Sequence, residues 1–82
     1  MIYMMMEYDT YFQDVRRTFT LDCESESEAI AICNRHLCQF PPSDCIEIQL
    51  YVNGLCMIGC SYYDAATDEL GYADIIYEEC YS

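Results

Sequence analysis

The sequence predicts an α+β domain in which one helix packs across an antiparallel sheet of about five strands, in the order ββαβββ. Three observations carry this. A capping box opens one amphipathic stretch and a Pro-Pro pair closes it, strict apolar–polar alternation follows, and an Asn-Gly dipeptide then reverses the chain.

The elements follow in order. Ile2 to Tyr8 is apolar enough for a first strand, although its run of methionines blurs the period of two. Asp9 to Asp14 holds a turn. In Val15 to Leu21, Val15, Phe19 and Leu21 share one side of a second strand with Arg17, while Arg16, Thr18 and Thr20 take the other. Ser25-Glu26-Ser27-Glu28 is the capping box, with the Ser25 hydroxyl on the Glu28 amide and the Glu28 carboxylate reaching back. The acidic residues there also meet the positive end of the helix dipole. Ala29, Ile32, Cys33, His36 and Leu37 fall on one helical face, which Ile30 widens. Pro41-Pro42 ends the helix, predicted over Ser25 to Cys38.

The second half is the more regular. Ile46, Ile48, Leu50 and Val52 alternate with Cys45, Glu47, Gln49 and Tyr51, as in a half-buried strand. Asn53-Gly54 predicts a two-residue hairpin, because a type I′ turn needs positive φ at both positions. That turn would pair Val52 with Leu55, Leu50 with Met57 and Ile48 with Gly59 on the core face. After a polar loop, Asp64 to Leu70, a last strand over Tyr72 to Glu79 is expected to point Ile75 and Tyr77 inward, leaving Tyr72, Asp74, Ile76 and Glu78 outward.

Length and composition bound the function. The 82 residues suit one domain, 1–82, that buries only roughly 60% of the surface its unfolded chain exposes. At 54% hydrophobic the chain is too apolar for a disordered acidic tail. Fifteen Asp and Glu stand against Arg16, Arg17 and Arg35, with no lysine, for a net charge of −12. Such a surface argues against DNA, RNA or an anionic membrane as direct ligand, since those call for basic patches. Seven cysteines, an odd number that falls mostly inside predicted elements, suggest free thiols in a reducing cytoplasm rather than a disulfide framework. No apolar run approaches the roughly 18 residues of a membrane span.

Chemistry is sparse. Cys56 and Cys60 have the spacing of a zinc knuckle, yet on a strand their thiols lie roughly 13 Å apart, and Cys33 and Cys38 point to different helix faces. His36, the only histidine, could meet Cys33 at i, i+3, but nothing supplies an oxyanion hole. Asp64 to Glu69 lacks the alternating ligands and central glycine of a calcium loop. The expectation is a protein that is not an enzyme and needs no cofactor or metal.

What remains is the acidic surface. Glu47, Tyr51 and Tyr62 are expected on the solvent side of the sheet, continued by Asp64, Asp68 and Glu69 in the loop and by Asp74 and Glu78 on the last strand. Tyrosines interleaved with carboxylates suit a basic protein partner: tyrosine gives rigid contact area, and carboxylates give steering and bidentate arginine contacts. Proteins with such basic grooves are most often nucleic-acid-binding proteins.

In size, acidity and ββαβββ order, and in the stretch from Ser25-Glu26-Ser27-Glu28-Ala29-Ile30 through Cys45-Ile46-Glu47-Ile48-Gln49 to Asn53-Gly54-Leu55, the chain resembles small phage and mobile-element anti-CRISPR proteins. The resemblance covers residues 15 to 77 and is one of architecture and charge. It implies an inhibitor that binds a Cas effector in the host cytoplasm and blocks DNA or RNA access. The alternative is a regulatory or structural interaction module, antitoxin-like or a complex subunit, that forms a homodimer through a sheet edge.

Overall fold

The computed structural model describes residues 1–53 and 56–74. The chain forms β1 (Ile2–Asp9), β2 (Asp14–Asp22), α1 (Glu26–Leu37), a single 3-10 turn (Pro42–Asp44), β3 (Ile46–Val52), β4 (Cys56–Tyr63) and β5 (Leu70–Asp74). The five strands make one antiparallel sheet in the order β2-β1-β3-β4-β5. This is the predicted α+β fold, one helix on one face of a five-stranded sheet.

Local chemistry explains the helix. The Ser25 hydroxyl accepts the Glu28 amide at 3.2 Å, as the capping box requires. The Glu28 carboxylate, however, accepts from the Glu24 amide at 3.0 Å, one residue further back than the reciprocal bond of that motif. At the other end the Tyr63 hydroxyl donates to the Phe40 carbonyl at 3.1 Å and leans on that of Leu37 at 3.4 Å, tying the chain just past the helix to β4. Ala29, Cys33 and Leu37 are fully buried against Ile48 and Leu50, and Ser61 donates to Asn34 Oδ1 at 2.5 Å, tying α1 to β4.

The helix lies mainly over β3 and β4 and leaves the β1–β2 half of the sheet to be attached by other means. Glu7 provides the attachment. Its carboxylate is fully buried on β1, takes a fork from Arg17 (Nε to Oε1 at 3.1 Å, NH2 to Oε2 at 3.0 Å) and meets His36 Nε2 of α1 at 2.5 Å. The His36 ring in turn packs edge-on against Phe19 of β2 and against Phe40, at 5.0 and 5.8 Å.

Two irregularities in the ladders alter faces expected from the sequence. A shift between Glu7 and Tyr8 sets Val15 opposite Tyr8, so Val15 leaves the side of Phe19, Leu21 and Arg17 and stands exposed. Across β3 and β4 the pairing is Val52 with Cys56, Leu50 with Gly59 and Ile48 with Ser61. Three residues, 53–55, therefore separate the strands in place of the expected two, and the register predicted for this hairpin is corrected. Asn53 does adopt the positive φ its turn demands, 56°; Gly54 and Leu55 lie outside the described residues. A second shift between Leu50 and Tyr51 sets Met57 opposite Tyr51, away from the core, and Ile58 packs on the core in its stead.

β5 also departs from expectation, although its ladder with β4 is regular. Tyr72 pairs with Ser61 and Asp74 with Gly59, both on the helix side, whereas Gly71 and Ala73 lie across from Tyr62 and Cys60. The cause is steric. A Cβ on Gly59 would overlap the phenol oxygen and Cζ of Tyr72 and sit 2.7 Å from the Ala73 carbonyl, so this glycine makes the space that draws Tyr72 inward. The Tyr72 hydroxyl is buried without a hydrogen-bond partner among the described residues, and burial raises its pKa, helped by the nearby Asp74 carboxylate. Ile75, Ile76, Tyr77, Glu78 and Glu79 lie outside the described residues.

Chemical denaturation checks this arrangement. Gly59→Ala should cost about 1–3 kcal/mol through overpacking. Tyr72→Phe should be neutral or stabilising, because it removes an unsatisfied polar atom. The double variant should stay as unstable as Gly59→Ala, since the ring carbon and the Ala73 carbonyl still obstruct.

Candidate functional site

The side of the sheet away from α1 presents two surfaces of different character. In its middle, the strand pairing brings together Met4 and Met6 of β1, Gln49 and Tyr51 of β3, and Met57 and Cys60 of β4. No described element packs over them, and all six are half-buried. An antiparallel sheet with one solvated face ordinarily carries polar residues there. Here the polar groups are tied along β3: the Tyr51 hydroxyl donates to Gln49 Oε1 and Gln49 Nε2 donates to Glu47 Oε2, both at 2.8 Å. The Cys60 thiol beside this chain is pushed up to about 11, by burial first and then by the Glu47 carboxylate.

The second surface is the end of the sheet where β3 begins and β4 runs into β5. The Asp64–Glu69 turn is closed by backbone bonds from Asp64 to Glu69 and from Asp68 to Asp64, and by the Ala66 amide donating to Asp64 Oδ1 at 2.7 Å. The turn overhangs a hollow of about 230 Å³ lined by Glu47, Tyr62, Asp64 and Asp68, with Thr10 and Cys45 on its far wall and no cationic residue among its lining. Tyr62 lies flat beside it because Gly71, directly across, has no side chain: a Cβ there would come within 3.0 Å of the Tyr62 ring.

Four of the residues expected to form a partner site, Glu47, Tyr62, Asp64 and Asp68, therefore line one hollow, and Glu69 ends the turn above it. Tyr51 is four residues along β3 from Glu47, roughly 13 Å away, and belongs to the methionine-rich middle. Asp74 is exposed, as expected, but on the other face: its register places it on the helix side, across from Gly59, apart from the other carboxylates. Glu78 lies outside the described residues.

Sequence reasoning passed over Glu7, the one acidic side chain at full burial among the described residues. Burial alone would raise its pKa, but the His36 and Arg17 hydrogen bonds and the Arg17 charge together hold it below its ordinary value of 4.5. The signal was present. Arg17 falls on the apolar side of its strand, and Glu7 shares the parity of Tyr3 and Met5.

Cys23, Cys33, Cys38, Cys45 and Cys60 are free thiols. Cys33 is buried in the helix–sheet core and its pKa is pushed up to about 12 by desolvation; Cys38 and Cys45 are exposed. No group of three or more potential metal ligands occurs among the described residues, and none of their helices is long and apolar enough to cross a membrane. Comparison of the chain with protein-family models, curated proteins and solved structures finds no match.

The thiols give a direct check on the packing. Alkylation of native protein followed by mass mapping should modify Cys38 and Cys45 first and leave Cys23 and Cys33 unmodified until the chain unfolds. Early labelling of Cys33 would contradict the helix–sheet core described above.

Proposed function

We propose that this protein is a non-catalytic inhibitor that binds a basic nucleic-acid-binding protein, of the Cas effector class, and blocks its access to DNA or RNA. The observation that carries the reading is the hollow at the sheet end, where Glu47, Asp64 and Asp68 converge beside Tyr62 with no cation to neutralise them. A −12 chain without lysine keeps these carboxylates together against their mutual repulsion. An arginine from the partner would relieve it: a guanidinium suits paired carboxylates, and a tyrosine face suits its flat side. The anti-CRISPR resemblance in size, charge and ββαβββ order points to the same class of partner.

Inhibition of plasmid cleavage by a panel of purified Cas effector–guide complexes tests this. At least one complex should be inhibited, with inhibition weakened by salt and relieved by excess DNA. The best variant is Asp68→Asn with Glu69→Lys, because Asn tolerates the positive φ of 57° at position 68. It should cost about 2–5 kcal/mol in binding where a carboxylate meets a desolvated arginine, with an unchanged melting temperature. An inhibitor unaffected by this variant, or a panel with no inhibited member, would remove the reading.

A further inference from the structure

We infer that the open face of the sheet, away from α1, is a self-association surface that takes a second copy of this chain. This goes beyond the proposed function, which uses the acidic end, and does not depend on it.

Charge is nearly absent from this face. Of the described strand positions on this side, only Glu47 and Asp22 are acidic, and they stand at opposite ends of the sheet. Between them lie Met4, Met6, Tyr51, Met57 and Cys60, in a molecule whose exposed charges elsewhere are mostly carboxylates. Glu47 is itself held by Gln49 at 2.8 Å. A basic partner would find no counter-charge in this middle, and a nucleic acid or anionic membrane would find no cation. An identical uncharged face meets it without desolvating an ion.

Area and shape agree. The molecule measures 31 by 28 by 21 Å, and a five-stranded sheet with strands ~4.8 Å apart offers a broad face of the same order as the ~800 Å² per partner of a standard interface. Two such faces stack at a sheet-to-sheet distance of about 10 Å. Methionine suits the purpose, since its flexible thioether fills an irregular contact between two copies. The contact is face to face, which leaves the edges β2 and β5 and both acidic ends outside it.

The charge fixes the sign of the salt response. Two chains of −12 repel, so screening should strengthen the pair, whereas salt weakens the complex with a basic partner. The two readings therefore fail independently.

Sedimentation velocity of the full chain, in reductant so that exposed thiols do not cross-link, tests the inference. The mass should rise from 9.6 kDa toward twice that across the micromolar range, at lower concentration in high salt. Met6→Glu, in the middle of the face, should weaken association more than about tenfold with unchanged circular dichroism and melting temperature, because no described element packs on that side. Met57→Glu, on a different strand, should do the same and guards against a folding defect in the first. Glu47→Gln should tighten the pair. A monomer at every concentration and salt overturns the inference, and so does a dimer that persists in both glutamate variants, which would move the contact to a strand edge.

Discussion

A carboxylate with no solvent exposure stands at the join between the two halves of this fold, and the helix side of the sheet is arranged to keep it ionised. Stripping water from Glu7 is costly, and the cost is offset only because Arg17 delivers two parallel N–H groups and His36 a third contact. Each partner comes from a different element. Arg17 belongs to the outermost strand and His36 to the last turn of the helix, so the cluster fastens β2, β1 and α1 together where the helix itself covers mainly β3 and β4. Phe19 and Phe40 close over His36 and shield the site, while most of Arg17 stays in water. Arg17 therefore acts as a solvated clamp, and an ion pair of this kind specifies how the hairpin docks more than it adds to net stability.

Much of this was legible in the sequence, and the exceptions share a cause. Ser25 and Glu28 announce the helix start through local hydrogen bonds, Pro42 forbids its continuation, and Ile46, Ile48 and Leu50 alternate without interruption. These are near-neighbour effects, and the structure reproduces them. Val15 and Met57 are assigned to the wrong side because a period of two propagates only while the ladder is regular. One extra residue at Arg16 displaces Val15 and one at Ile58 displaces Met57, while the residues on the other side of each bulge keep their expected faces. Such bulges are decided by the partner strand and by sheet twist, neither of which leaves a mark in a local window. Tyr72 turns inward because of Gly59, thirteen residues earlier in the chain, a long-range fit that composition cannot express. Of the expected site, the compact group at residues 47, 62, 64 and 68 emerges from a plain strand alternation and one turn; the outlier at Asp74 comes from the strand whose parity depended on that glycine.

The acidic residues thus fall into groups with separate physical roles. Glu7 is internal and paired. Glu26 and Glu28 sit in the first turn of α1, where the helix dipole favours them. Glu47, Asp64 and Asp68 crowd a hollow with no cation, and this concentration, rather than the total charge, is what supports a basic partner. The methionine and tyrosine middle of the same sheet side is nearly free of charge, and its chemistry favours like with like. On the two proposals, one small domain would carry two adhesive surfaces with opposite responses to salt, and a dimer would present two acidic ends at once.

The claim on which this account rests is that Glu7 is ionised and bound in the folded state. Its pKa is lowered on folding, so its contribution is fully present above the ordinary value of 4.5 and is lost as pH falls through the folded-state value. The decisive measurement is the unfolding free energy of the wild type and of Glu7→Gln from neutral pH into the acid range, taken as a difference so that the remaining carboxylates cancel. The wild type should lead by about 1.5–3 kcal/mol, the range for a hydrogen bond to a charged group, with a constant gap down to about pH 4.5 and a gap that closes below it. A gap near zero at neutral pH, or one that does not change with acidification, would contradict the account.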